Sequence, residues 1–306
     1  LGRRIMSIRF DEKVVIVTGA GGGLGKEHAL EFAKRGAKVV VNDLGGSVDG
    51  SGASDSANEV VELIKSQGGE AFASGASVTD LSAVKAMIAE TLETWGRVDI
   101  LVNNAGILRD KSFHKMSVED FNLVMQVHFE GTLNCTHTVF PVMREQAFGR
   151  IIFTSSSSGV FGNFGQSNYG SAKMAMIGLM NTLKIEGQKY NIHSNAITPV
   201  AFTRMTDGLI PADIGKNLQP EYVTPAVIFL ASEDAPNGAI ISAGAGVFSR
   251  IFIHETKGLS LGMGSDMTPE NIALNWEEIS DMEGAQALNS GPEQSLKIFE
   301  LLNKSE

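Results

Sequence analysis

The sequence predicts an α/β fold, a doubly wound parallel sheet with helices on both faces, and three observations lead there. Short apolar runs rich in β-branched residues alternate with helical patterns along most of the 306 residues. A glycine-rich turn follows the first such run and opens a helix. Hydrophobic residues make up 43% of the chain, ample for a large core, yet no apolar run approaches the ~20 residues of a membrane span. Strands are expected at 13–17, 38–42, 70–74, 98–103, 150–154, 192–197 and 239–243. Helices are expected near 24–35, 54–67, 80–94, 117–145, 169–189 and 220–232.

The first strand, Lys13 to Val17, leads into Thr18-Gly19-Ala20-Gly21-Gly22-Gly23-Leu24-Gly25. Strand, glycine turn and helix in this order form a pyrophosphate cradle, which makes the sheet Rossmann-type. Gly19 permits the tight turn, Gly23 lets the backbone approach the phosphates, and Gly25 allows close helix–strand packing. Gly22 and Leu24 complete the loop, and the helix N-terminus faces the anion. The second strand ends at Asp43, near the ~20-residue offset where an acid binds the adenosine ribose. An acid there repels a 2′-phosphate, and no Lys or Arg lies between Gly19 and Gly25 or directly after Asp43. These residues select NAD over NADP. Gly45 to Ala53, rich in Gly, Ser and Asp, reads as a surface loop.

The fifth strand ends in Thr154-Ser155-Ser156-Ser157-Ser158-Gly159, and thirteen residues after Ser156 comes Tyr169-Gly170-Ser171-Ala172-Lys173. A phenol and an ammonium four residues apart share one helix face. A fixed positive charge lowers a phenol's pKa, so Tyr169 beside Lys173 is expected to exchange a proton near neutral pH. A serine at the strand end could hold a substrate oxygen. Only the spacing to Tyr169 selects Ser156 from its neighbours.

Residues 202–220, with Gly208, Pro211 and Gly215, read as either a substrate lid or a plain surface connection. Thr268 before Pro269 reads as a helix N-cap, and a last helix is expected from about Pro292 to Asn303. Residues 9–250 form the NAD-binding domain, and 251–306 form a C-terminal helical extension packed on that same domain. The extension could close the substrate pocket, shape an interface or cover core.

A net charge of −10 argues against bulk affinity for nucleic acid or anionic membranes, so an anionic ligand needs local basic residues. The single cysteine, Cys135, excludes an internal disulfide and suits a reducing compartment. The six histidines are scattered and no Cys/His spacing fits zinc, so no metal is expected. The start, Leu1 to Ile5, is basic without an apolar core, Met6 reads as a candidate start, and the end is not a Ser-Lys-Leu signal.

On these residues the chain resembles the short-chain dehydrogenase/reductase family. Thr18 to Gly25 matches its TGxxxGxG pattern, and Asn103-Asn104-Ala105-Gly106 its NNAG motif. Ser156, Tyr169 and Lys173 match its catalytic set, and Asn195 to Pro199 the segment that passes the nicotinamide. The match covers roughly residues 9–250. Within the family the chain is similar to the (3R)-hydroxyacyl-CoA dehydrogenase domains of peroxisomal multifunctional enzymes of type 2. Asn42 to Gly46, Gly106 to Asp110, Phe161 to Gln166, Arg204 to Thr206 and Met267 to Trp276 carry that similarity. Departures from the family pattern are His128 where Asn is usual, Val200 after Pro199, Ser77 in place of an acid, and His254-Glu255-Thr256.

The resemblance implies NAD-dependent oxidation of a (3R)-hydroxyacyl-CoA to a 3-ketoacyl-CoA. Tyr169 would be the base, Ser156 would hold the 3-oxygen, and Lys173 would lower the tyrosine pKa and hold the nicotinamide ribose. Asn104, Ala105 and Gly106 would shape the cofactor floor, with Ser77, Val78, Val127, Pro199, Ala201 and Thr203 as further cofactor contacts. A homodimer or tetramer built on the fourth and fifth helices is implied. So is a cytoplasmic setting in a bacterium, or a peroxisomal one as a domain of a eukaryotic multifunctional enzyme. Two other readings stay open: a hydroxysteroid (17β-type) or other secondary-alcohol dehydrogenase of the same chemistry, acting on a free steroid or a steroid side-chain CoA ester, and a non-catalytic NAD-binding scaffold.

Overall fold

The computed structural model describes residues 7–47, 49, 54–203 and 215–303. The proposed lid at 202–220, the Arg204 to Thr206 segment, part of the Gly45 to Ala53 loop and the extreme termini therefore lie largely outside the described residues. The chain divides into two compact units, Leu1–Arg250 and Ile251–Glu306.

The first unit is built on an eight-stranded sheet. Its strands are β1 (Val14–Thr18), β2 (Lys38–Asn42), β3 (Glu70–Ser74), β4 (Ile100–Asn103), β5 (Gly149–Thr154), β6 (Ile192–Pro199), β7 (Ile240–Gly244) and β8 (Val247–Ile251). Their order is β3-β2-β1-β4-β5-β6-β7-β8. The first seven run parallel, with Thr18 opposite Asn42 and Val17 opposite Val102. The order reverses between β1 and β4, so a crevice opens there beyond the carboxyl ends of the strands, where such sheets bind ligands. Strands β1, β2 and β5 are buried almost throughout, and β1 and β2 read as continuous Val/Ile runs.

Helix α1 (Gly23–Lys34) packs against α2 (Ser56–Ser66). It covers a cluster that includes Val15, Val17, Phe32, Val39, Val41 and Ile64. Helix α3 (Leu81–Trp95) starts where the Asp80 carboxylate accepts from the Ser82 and Ala83 N–H groups, and ends at Gly96 in the left-handed conformation. The single helix expected at 117–145 is three pieces. Helix α4 (Val118–Met125) passes through a π-helical turn, Gln126–Glu130, into α5 (Gly131–Gln146). A one-turn helix α6 (Ser157–Val160) follows β5, and α7 (Ser167–Gly187) follows that. Helix α8 (Thr224–Ala231) packs on α1, with the buried His28 ring nitrogen Nδ1 2.9 Å from the Thr224 hydroxyl.

Strand β8 was not legible as a strand. It follows β7 after two residues, Ala245 and Gly246, both at positive φ (50° and 75°). That is the type I′ geometry that reverses a chain into an antiparallel neighbour. The opposite, amino-terminal end of the sheet is closed by Arg150, which is 1% exposed. Its guanidinium donates to the carbonyl oxygens of Gly149, Asn191, Ser232 and Glu233 and stacks on Phe148.

The second unit has its own connections. Thr268 caps α9 (Pro269–Leu274) by accepting from the Asn271 N–H. Helices α10 (Trp276–Ile279) and α11 (Gly291–Asn303) follow. Glu255 pairs with Lys297 at 2.9 Å and accepts from Gln294, and Thr256 donates to Ile279 O, so both residues serve this unit's own fold. Among the described residues, no helix is long and apolar enough to cross a membrane.

Candidate active site

A cavity of about 330 Å³ lies at the switch point. Its lining includes Gly19, Gly22, Gly23 and Leu24 of the glycine turn, Asp43, Ser77, Val78, Asn104, Ala105, Gly106, Val127 and Thr203. Two glycines are needed for reasons of backbone. Gly19 sits at φ +65° with a side-chain position 2.8 Å from Ala105 Cα. Gly25, in the first turn of α1, would place a Cβ 2.2 Å from Gly19 O, so it serves packing and does not line the cavity. Asn104 ties the two sides together, donating through Nδ2 to Thr18 O and Gly19 O, each at 3.0 Å. No side chain caps the N-terminus of α1, which leaves its N–H groups for an anion.

Asp43 stands at the end of β2, where Oδ2 accepts from the Gly21 N–H at 2.8 Å and Oδ1 from Gly45 N–H at 2.7 Å. Both bonds hold the carboxylate in the cavity wall, and no Lys or Arg stands among the described residues of the lining. An extended cradle, a helix N-terminus and a fixed acid fit a dinucleotide. The residues that would hold it are the glycine turn at the pyrophosphate and Asp43 at a ribose.

Ser156, Tyr169 and Lys173 are brought together. Ser156, 9% exposed, is the N-cap of α6, its hydroxyl accepting from the Ser158 N–H at 3.1 Å. Its neighbours are committed or turned away. Ser155 donates to Lys173 O, Ser158 donates to Gln166 Oε1, and Ser157 is exposed. The Lys173 ammonium is 2% exposed, lies 5.4 Å from the Tyr169 ring centre and donates to Thr154 O at 2.5 Å.

The expected lowering of the Tyr169 pKa is not what the structure gives. Burial pushes the phenol up to about 12, with a Ser156 hydrogen bond pulling the other way and Asp110 adding to the rise. Burial also brings Lys173 down to about 7. The ammonium is not a fixed charge in this dry setting, so the spacing of Tyr and Lys alone gives the wrong sign.

His128, on the π-helical turn, joins this group to the cavity. It is 1% exposed, and its Nε2 lies 2.8 Å from Ile107 O and 3.0 Å from Ile107 N. Its ring meets the Tyr169 ring edge-on at 5.1 Å. A Cβ on Gly106 would lie 2.2 Å from His128 Cε1, so glycine is required where the cavity floor meets the imidazole. Burial, then the Lys173 charge, hold His128 well below its usual range, so it is neutral.

Four other predicted cofactor contacts do not line the cavity: Pro199, which ends β6, the buried Ala201, and Tyr169 and Lys173 of the group just described. Sequence reasoning missed Asn42, Leu44, Gly46, Ser47, Ala76, Thr79, Ile107, Leu123 and Gln126, which do line it. Only the loop after β2 carried a signal for two of these, in its Gly and Ser content. Among the described residues, no group of three or more His, Cys, Asp or Glu is gathered as a metal site requires.

The model of the short chain dehydrogenase family matches residues 13–212. The peroxisomal multifunctional enzyme type 2 of Drosophila melanogaster is 47% identical over 97% of this chain, which spans 50% of that protein. The structure of the full-length Drosophila enzyme superposes with a TM-score of 0.81 at 40% identity, again over 97% of this chain and 50% of that one. A short-chain type dehydrogenase/reductase of Mycobacterium tuberculosis is 44% identical over 90% of this chain and 96% of its own. A 7α-hydroxysteroid dehydrogenase solved with NADH and 7-oxo glycochenodeoxycholic acid has a TM-score of 0.70 at 32% identity, covering 78% of this chain and 95% of its own.

Proposed function

Since this chain belongs to the short chain dehydrogenase family of oxidoreductases acting on CH–OH, we propose that it oxidises a (3R)-hydroxyacyl-CoA to the 3-ketoacyl-CoA with NAD. The family binds NAD or NADP, and Asp43 is what favours NAD here. A fixed carboxylate repels a 2′-phosphate, and no cation among the described residues of the lining offsets it. The observation that carries the reading is the meeting of Ser156, Tyr169 and Lys173 beside that cavity, linked to its floor through His128 and Gly106. The acyl-CoA substrate rests on likeness to multifunctional enzymes of which this chain spans only part.

NAD, held by the glycine turn and Asp43, would supply the hydride acceptor and a positive charge. The chain's own groups handle the proton and the geometry. Ser156 holds the 3-oxygen as it becomes a carbonyl. Tyr169 removes the hydroxyl proton, and its elevated pKa makes it a strong base once the proton has left it. Lys173, held beside the phenol, would hydrogen-bond the nicotinamide ribose. Two copies pairing through α5 and α7 belong to the same reading, supported by the exposed Leu133, Met174 and Ile185.

The test is NADH formation from NAD with (3R)- and, separately, (3S)-hydroxyacyl-CoA of medium chain length, repeated with NADP. Reduction of NAD with the R isomer is expected. Turnover of neither isomer by a protein that binds NADH would discard the acyl-CoA reading and turn attention to steroid alcohols.

A further inference from the structure

Two segments frame Ser156 and Tyr169: 109–116 after β4, and 161–168 between α6 and α7. They are stitched into one wall. Lys111 N–H donates to Gly165 O at 2.9 Å, Gln166 Nε2 to Asp110 Oδ2 at 2.6 Å, and Asn168 Nδ2 to Arg109 O at 3.0 Å. The wall carries three phenylalanines in solvent: Phe113 is 75%, Phe161 72% and Phe164 88% exposed. Gly162 and Gly165, both in the left-handed region (φ +81° and +82°), turn the backbone on either side of Asn163 and Phe164. Aromatic surface held out by a rigid wall beside a reaction centre marks a ligand contact.

The same wall is locally basic, in a chain of net charge −10. Arg109, Lys111 and Lys115 stand on it with Asp110 as the one acid of 109–115. Arg109 and Lys111 reach Asp120 at 3.7 and 3.2 Å, whereas no ion pair is found for Lys115 among the described residues. Apolar rings next to cations suit a ligand that is apolar at one end and polyanionic at the other. An acyl-CoA is such a molecule, and a neutral steroid is not. We propose that Phe113, Phe161 and Phe164 seat the acyl chain, and that Lys115 with Lys111 takes the CoA phosphates, of the substrate oxidised at Tyr169. This deepens the reading above and rests on it.

The test is calorimetric binding of CoA, butanoyl-CoA and decanoyl-CoA to the NADH-loaded protein, which needs no turnover. Wild type is expected to bind decanoyl-CoA more tightly than butanoyl-CoA by on the order of tenfold or more, since each buried methylene adds affinity. The double variant Phe161→Ser, Phe164→Ser should lose that chain-length dependence, and Lys115→Glu should weaken all three ligands alike by about fivefold or more. Both variants sit at the surface, and unchanged NADH affinity verifies their fold. Chain-length dependence surviving in the double variant, or ligand affinity untouched by Lys115→Glu, overturns the proposal, as does absence of acyl-CoA binding to wild type. The expected binding pattern without turnover of a (3R)-hydroxyacyl-CoA would sink the proposed reaction and leave the binding wall standing.

Discussion

Tyr169 and Lys173 titrate against each other's needs: burial favours the neutral form of both, the phenol at about 12 and the amine near 7. A base that must lose its proton at such a pKa works better as pH rises, so oxidation should accelerate from pH 7 toward pH 10. Tyr169→Phe keeps the ring against His128 and removes the hydroxyl. It should cut kcat by about a thousandfold or more and leave the NADH dissociation constant unchanged within about twofold. Steady-state kinetics with a fluorescence titration of NADH checks both halves, and retained turnover would refute the assignment. That Ser156, Tyr169 and Lys173 meet was legible, because local spacing encodes it. The sign of the Tyr169 shift was not, because it depends on burial that only the folded chain creates. His128 shows the same limit. Its residue type was visible, but its seat over Gly106 and beside Tyr169 depends on the π-helical turn.

At the level of elements, the β1–α1 turn shows how tightly local sequence and tertiary contact agree. Gly25 faces Gly19 O at a distance where a Cβ would stand 2.2 Å away, and the clashing atom is backbone that cannot swing aside. Gly25→Ala should therefore push α1 from β1, costing about 1–3 kcal/mol in denaturant unfolding and weakening dinucleotide binding by about tenfold or more. Wild-type affinity in that variant would show that the contact relaxes harmlessly. Most of the parallel strands were legible because buried β-branched runs admit few other readings, whereas β3, Glu70–Ser74, holds no such residue and was legible only from the alternation of strand and helix around it. Strand β8 was hidden because Val247, Phe248 and Ser249 are exposed and its turn uses an alanine at positive φ, a position where glycine or asparagine is the usual signal. The break in the long fourth helix was hidden too, since the π-helical turn Gln126–Glu130 itself holds no proline or glycine and keeps the helical pattern running.

Across the whole molecule, the α1–α8 layer depends on a histidine that cannot accept charge. His28 is fully buried against Thr224, and desolvation brings it down to about 3. The unfolded chain binds a proton there below about pH 6.5 and the folded chain does not, so stability falls as pH drops from 6.5 toward 3. Between pH 7.5 and 4.5 this site alone should remove roughly 2–3 kcal/mol. Urea unfolding at the two values, on wild type and His28→Gln, should show a smaller pH difference in the variant; equal differences would locate the acid sensitivity elsewhere. Neither His28 nor Arg150 carries a motif, so their roles could not be read before the layers were assembled. Arg150 has a consequence of its own. Its partners are carbonyl oxygens of Gly149, Asn191, Ser232 and Glu233, not a surface carboxylate. Mobile ions screen exposed charge pairs over a Debye length of about 10 Å, but they barely reach a buried guanidinium bonded to backbone dipoles. The base of the sheet is thereby indifferent to ionic strength, while the basic wall at its other end is open to every anion in solution.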